Sequence, residues 1–345
     1  MQNNYKPWSL DYKVFFGLAT GGERLKFLLR FALLAPSSHN SQPWRFHITG
    51  DQIVVYPELS RALPKSDKND RQLFISLGAA LANLLVAANF YGYRSKVRYM
   101  PNEFSGAAFV VRLLEVEINN SINRDERIVK SIISRHSNRN KYSDRILSDE
   151  FIESIKSASG DQFRVYVIQD KKIKNKIADI VIDANVEAMD DSDFRFELSS
   201  YVKSNVTKSK IGMPMFGFGV PTLLSFLAPF LLRRFNLNRL SRSQDEELLK
   251  EHTPYFVIIT SRVDDKESWI KAGEIFESIA LMAERDGVRT ASMAAPIQIG
   301  ENYKKMQLLL STEMRPQVFF RMGYSEEITP HSPRLSLEDI SQDDE

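Results

Sequence analysis

The chain has 345 residues, enough for one large domain or two average ones, and 43% of them are apolar, so a sizeable core can be buried. Its 46 basic and 44 acidic side chains leave a net charge of +2, so bulk charge gives no reason to expect a nucleic-acid partner. With no cysteine there are no disulfides, no thiolate-bound metal or cluster and no thiol nucleophile; the five histidines (His39, His47, His136, His252 and His331) form no HxxxH or HExxH pair, so no metal site is expected.

The first residues, MQNNYKPWSLDYK, lack an apolar signal core, and the expected location is the cytoplasm. Residues 22–34 carry apolar side chains at helical spacing, and that helix should stop where Ala35 precedes Pro36. The stretch APSSHNSQPWRF at 35–46 then packs Pro36, Ser37, Ser38, Asn40 and Gln42 into one turn. Its hydroxyls, amides and turn N–H groups suit a polar, uncharged ligand; the alternative is a helix-to-strand connection built on Asx-type turns. Trp44–His47 and Gln52–Tyr56 read as two short strands around a turn at Thr49, Gly50 and Asp51. Trp44 reads as core.

Residues 70–92 predict one long helix, apolar on most sides, with Asn83 as its polar exception and Gly92 as its stop; such a helix belongs in the middle of a domain. Residues 106–117 look strand-like. A second unit follows. It has an amphipathic helix at 126–134, a helix capped by Ser148, a strand at 163–169, a helix at 171–190, a strand at 254–260, a helix at 268–286 closed by Gly287, and a strand at 315–324. The tail from Glu338 is acidic and expected to fray. Each unit thus has a long apolar helix ending at glycine and a following strand, which reads as an α+β duplication.

Residues 211–232, IGMPMFGFGVPTLLSFLAPFLL, carry no charge. The length would span a bilayer, but three prolines and three glycines argue against a regular transmembrane helix. A lid over an apolar ligand, or a buried arm packed on the second unit, is the expectation; Arg233, Arg234, Arg239 and Arg242 follow at once and would suit a membrane-surface collar or a solvated face.

Residues 135–139 read RHSNR. In an extended segment Arg135, Ser137 and Arg139 would share one side, which suits a phosphate dianion; a solvated basic loop near Asp144 and Asp149 is the alternative. There is no GxGxxG and no GxxxxGK[ST].

APSSHNSQPWRF and RHSNR together resemble the APSSxNxQPWxF and RxSxR segments of the flavin-dependent nitroreductase family, in reversed order. VRTASMAAPIQIGENYKKM resembles the family's GL turn and PIEG segment, with Gln298 where Glu is usual and Ile299 where Gly is usual. HSPRLSLEDI resembles its C-terminal basic segment, with Ser332 where Lys is frequent. Two such motifs in separate halves look like a family dimer fused into one polypeptide, as in the Acg-like branch.

The resemblance implies a nitroreductase-like fold: an internal pseudo-dimer of two α/β sandwich halves with antiparallel-rich sheets and long central helices. The halves would be 1–120 and 121–345, with a lid-like insertion about 205–245. It implies FMN as cofactor. Arg135, Ser137, Arg139 and Arg334 would hold the phosphate, with His136 and Gln42 as neighbours. Pro36, Ser37, Ser38 and Asn40 would meet the ribityl chain and ring edge, and the backbone at Pro296, Ile297 and Gln298 would approach the ring. The implied activity is an NAD(P)H-dependent oxidoreductase passing electrons by a ping-pong cycle to a nitroaromatic, quinone or similar small aromatic acceptor. No catalytic side chain is required, because the cofactor carries the reaction. A closed lid would instead imply FMN storage with little turnover, and the apolar segment a membrane-bound or partner-bound role. Either a monomer or a homodimer fits the fused halves.

Overall fold

The computed structural model describes residues 3–115, 125–236 and 238–340. The first half opens with two short 3-10 turns and α1 (Gly21–Ala32). Then come β1 (Trp44–Thr49), β2 (Gln52–Pro57), α2 (Arg71–Phe90), β3 (Tyr93–Tyr99) and β4 (Phe109–Glu115). The second half runs α3 (Glu126–Ser134), α4 (Asp149–Lys156), β5 (Phe163–Ile168), α5 (Lys171–Asp190) and α6 (Ser192–Tyr201). An irregular arm follows, with β6 (Val202–Lys203), β7 (Met213–Pro214), α7 (Thr222–Ser225), α8 (Ala228–Arg234) and α9 (Asn238–Glu251). The half closes with β8 (Tyr255–Ser261), α10 (Lys266–Arg285), β9 (Arg289–Ser292), α11 (Ala295–Gln298), α12 (Asn302–Leu309) and β10 (Arg315–Gly323).

Two four-stranded antiparallel sheets result, in the orders β1-β2-β4-β3 and β5-β8-β10-β9. Both follow one plan: two strands, a 20-residue helix, two strands, with the last strand inserted between the second and third. The α+β duplication expected from the helix pattern is therefore present in the topology. β3 and β9 were not expected from the sequence, and the strand expected at 106–117 is described from 109 to 115, its last two residues lying outside the described ones.

The long helices α2 and α10 pack on each other across the middle of the molecule. Their crossing explains two glycines. A Cβ on Gly78 would stand 1.9 Å from the carbonyl oxygen of Ile270, and a Cβ on Gly273 would stand 2.0 Å from that of Ile75. Each helix thus lays backbone against backbone at a glycine three residues beyond an isoleucine. With both its faces covered, α2 has no polar side to show, and Asn83 is buried with its Nδ2 donating to Phe31 O at 3.2 Å. Among the described residues α2 is the one helix long and apolar enough to cross a membrane, and 83% of its apolar window is buried inside the protein. Trp44 is fully buried in the core, as read. The C-terminal segment returns to the first half, where Leu335 and Ile340 join its core and Ile340 O accepts from Phe46 N at 3.4 Å.

The arm at 211–232 is not the packed, buried arm expected as one alternative. Met213 and Ala228 are buried with Val202, but Phe218, Leu223, Leu224, Phe226, Leu227, Phe230 and Leu231 are exposed. Prolines 221 and 229 break the segment into two short helices, too short to seat a continuous apolar face on the domain.

Candidate functional site at the junction of the two halves

The turn after α1 is held open by unusual backbone. His39, Asn40 and Gln42 have φ of 52°, 54° and 51°, a region in which short side chains that bond locally are best tolerated. Ser37 Oγ accepts from Gln42 N at 2.9 Å and closes the loop. Asn40 is buried; its Nδ2 donates to Gly212 O (3.0 Å) and Pro333 O (2.9 Å), and its Oδ1 accepts from Arg334 Nη1 (2.7 Å). Gln42 is fully buried, donating to Lys210 O at 2.7 Å and accepting from Leu335 N at 2.8 Å. These amides therefore bolt the turn to the base of the arm and to the C-terminal segment. Pro36, Ser37, Ser38 and His39 remain half-buried at the edge of the turn.

Arg334 is equally engaged. Its four Nη hydrogens face Asn40 Oδ1, Pro333 O, Leu34 O and Ala35 O at 2.7–3.2 Å, and its plane lies 4.7 Å from the Trp8 ring. Only Nε is left without a partner. The resemblance assigned Arg334 to phosphate; in the structure four of its five donors hold protein oxygens. Burial, and then Arg135 nearby, push its pKa down to about 9.

From the second half, Arg135 caps α3 and runs inward to Glu277 of α10, Nε to Oε1 at 2.9 Å, both side chains buried. The pair is close but misaligned for a hydrogen bond, and Arg135 and Arg334 both act on Glu277, whose carboxyl burial raises to about 7. His136 Nδ1 lies 3.0 Å from Ser134 O, its Nε2 is buried without a partner, and its ring meets that of His331 edge-on. Ser137 pairs with Thr290 in a parallel bridge beside β9.

Arg139 reaches a different neighbourhood from Arg135. Its guanidinium sits 4.5 Å from the Phe218 ring of the arm, and burial, then Arg321, lower its pKa to about 10. The common side expected for Arg135 and Arg139 is thus not what forms: the bridge at Ser137 anchors the segment on Thr290, and the two guanidiniums serve separate clusters. His39 lies close enough to Arg139 and Glu197 to feel both charges, and burial brings its pKa to about 4.

Pro296 and Ile297 are buried in α11. The N–H groups of Ile297 and Gln298 both donate to Ala294 O at 3.0 Å, so neither is free for a ligand, while Gln298 Nε2 donates to Asp67 Oδ1 of the first half at 3.2 Å. Sequence reading missed Arg321. On β10 it is buried over the Tyr142 ring at 4.3 Å with both Nη atoms unpartnered. It also missed Glu277 and His331, the latter stacked on Trp8 at 4.0 Å. A charged residue inside the apolar strand pattern RPQVFFRMGY was the available signal for Arg321.

The junction is cationic and under-satisfied. Arg135 and Arg334 share one carboxylate, Arg139 and Arg321 have none in bonding reach among the described residues, and buried nitrogens on His39, His136, Arg321 and Arg334 lack partners. Buried polar groups are otherwise almost always paired, so this donor set fits an anionic, hydrogen-bond-accepting group such as a phosphate.

No family model matches the chain. Curated relatives do, over 92% of its length. A Mycobacterium tuberculosis protein named "Putative NAD(P)H nitroreductase acg" is 22% identical over 339 residues, covering 92% of this chain and 94% of the relative. Another from the same species, named "Putative NAD(P)H nitroreductase Rv3131", is 22% identical over 324 residues, with 92% and 91% covered. The chain resembles Acg-like nitroreductases. Solved structures similar to this Acg-like chain include the FMN-dependent nitroreductase NfnB of Mycobacterium smegmatis in complex with NADPH (14% identity, 64% of this chain and 97% of that one, TM-score 0.42). A nitroreductase of Desulfitobacterium hafniense with bound FMN is also similar (15% identity, 64% and 98%, TM-score 0.39).

Proposed function

We propose that this Acg-like chain is a flavin-dependent oxidoreductase whose two halves form a pseudo-dimer around FMN at the junction described above. The observation that carries the reading is that Arg334 bonds Asn40 of the turn and lies near Arg135, while Arg139 lies near His39, so two motifs far apart in sequence come close beside buried guanidinium and imidazole nitrogens that lack partners. Arg135, His136 and the free Nε of Arg334 would face the phosphate, Ser137 and Arg139 the flavin edge, and the half-buried Pro36–Ser38 turn would form the opposite wall. Bound there, FMN supplies two-electron acceptance from NAD(P)H and delivery to a nitroaromatic, quinone or similar acceptor in a ping-pong cycle. The chain's part is to hold and polarise: Asn40, Gln42 and Arg334 fix the turn, Glu277 orients Arg135, and Pro296–Gln298 close the wall through Asp67 and Arg71.

A second reading, retention of FMN with little turnover, is favoured by one contact. Phe218 lies over Arg139, and a side chain on Gly217 would begin 3.7 Å from Arg139 Nη1, so the arm covers this guanidinium directly. The test is a visible spectrum of the FMN-loaded protein followed by anaerobic NADPH. Bleaching of the flavin band supports the reductase. A band that persists supports retention. Protein that takes up no FMN overturns the cofactor assignment and both readings with it.

A further inference from the structure

The arm beyond the Phe218 contact presents an apolar surface that no described residue covers. Eight of the large apolar side chains that the described residues expose fall between 218 and 235: Phe218, Leu223, Leu224, Phe226, Leu227, Phe230, Leu231 and Phe235, each 37–85% exposed. Scattered exposed leucines need no explanation, but a contiguous cluster of this kind marks an interaction surface. The inner side of α8 is anchored, since Ala228 packs with Val202 and Met213, so the outer side chains cannot simply turn inward.

Charge identifies the partner. Between Glu197 and Asp245 there is no acidic residue, while seven basic ones occur: Lys203, Lys208, Lys210, Arg233, Arg234, Arg239 and Arg242. The whole chain is only +2, so the rest of it is net acidic, and although Lys210 is paired with Asp339 this stretch carries a basic excess. Arg233 and Arg234 directly follow the apolar run; Arg233 lies over the exposed Phe196 ring at 4.3 Å, and neither forms an ion pair among the described residues. Phenylalanine and leucine facing outward beside unpaired arginines is the composition of a segment that lies in the plane of a membrane interface, where apolar side chains enter the acyl boundary and the cations meet lipid phosphates. A second copy of the chain on the same patch would set Arg233 and Arg234 against like charges across a two-fold axis.

We propose that α7 and α8, with the flanking arginines, dock the protein on an anionic phospholipid surface. The test uses the full chain and two kinds of vesicle, phosphatidylcholine alone and phosphatidylcholine mixed with phosphatidylglycerol, in a sedimentation assay. The wild type is expected to bind the anionic vesicles and to lose most of that binding at high salt. The variant Leu223→Glu/Phe226→Glu/Phe230→Glu should lose binding outright. Arg233→Glu/Arg234→Glu should weaken it at least about tenfold. All five positions are exposed, so unchanged melting and FMN uptake verify that each variant is folded. Equal binding to neutral and anionic vesicles overturns the charge argument. No vesicle binding overturns the proposal, whether a concentration-dependent dimer that the triple variant abolishes shows a second copy on the patch, or the protein stays monomeric throughout.

Discussion

Arg135 and Arg139 answer to different neighbours, and their removal should read out differently. Arg139→Ala removes a guanidinium with no carboxylate partner among the described residues, so its main effect is expected on the ligand: FMN affinity falls about 10- to 100-fold in a fluorescence titration, with melting little changed. Arg135→Ala also strands Glu277 in a buried site, which should destabilise the fold by roughly 3 kcal/mol. That loss should depend on pH. The folded Glu277 carboxyl sits near 7, above its ordinary 4.5, so the fold prefers it protonated; the stability it allows is full below its unfolded value and is lost as pH rises through 7. Without Arg135 the folded value climbs further, so the melting deficit of the variant should be larger at about pH 8 than at about pH 5. A deficit that does not change with pH would show that Arg135 does not act on Glu277. The sequence made Arg135 and Arg139 visible as motif letters, but not their division of labour, which depends on where Glu277 and Arg321 arrive from α10 and β10.

The crossing of α2 and α10 makes the clearest claim about elements. In an exposed helix, Gly→Ala gains up to about 1 kcal/mol. At Gly78 and Gly273 the sign should reverse, because the new methyl would meet a backbone oxygen at about 2 Å, and separation of the helices should cost roughly 1–3 kcal/mol or more in a denaturant titration. The two substitutions act at one crossing, so the double variant should lose less than the sum of the singles. Additive losses would place the two contacts in independent sites. Periodicity revealed both helices to within two residues, because each is long and closes at a glycine. β3 escaped because it is an edge strand whose outward residues, Arg94, Lys96 and Arg98, leave a weakly apolar inner row. β9 has only four residues, and at that length a hydrophobic period cannot be told from a loop. The exposure of α7 and α8 was not legible either. A charge-free run looks the same whether it faces a core, a pocket or a membrane.

At the scale of the molecule, duplication is complete in the sheets and broken in the motifs. The turn after α1 carries Pro36–Gln42, but the corresponding passage from α4 into β5 is the short Ser157–Gln162 connection with no such turn. RHSNR follows α3, and the residues before α1 hold nothing like it. The buried cations follow the same asymmetry: Arg334 holds Asn40 of the first-half turn with Arg135 near it, and Arg139 lies near His39 of the same turn with Arg321 behind it in the second half. A symmetric dimer of single halves would build two equal sites by its two-fold axis; this fused chain is expected to build one. FMN titrated into the apo protein, with the chain mass fixed by light scattering, should therefore saturate at one equivalent per chain whether the protein is a monomer or a dimer. Arg139→Ala should weaken that single phase without uncovering another. Two equivalents per chain would mean that the second half-turn binds flavin without the serine and asparagine turn, and the junction would lose its claim to be the site.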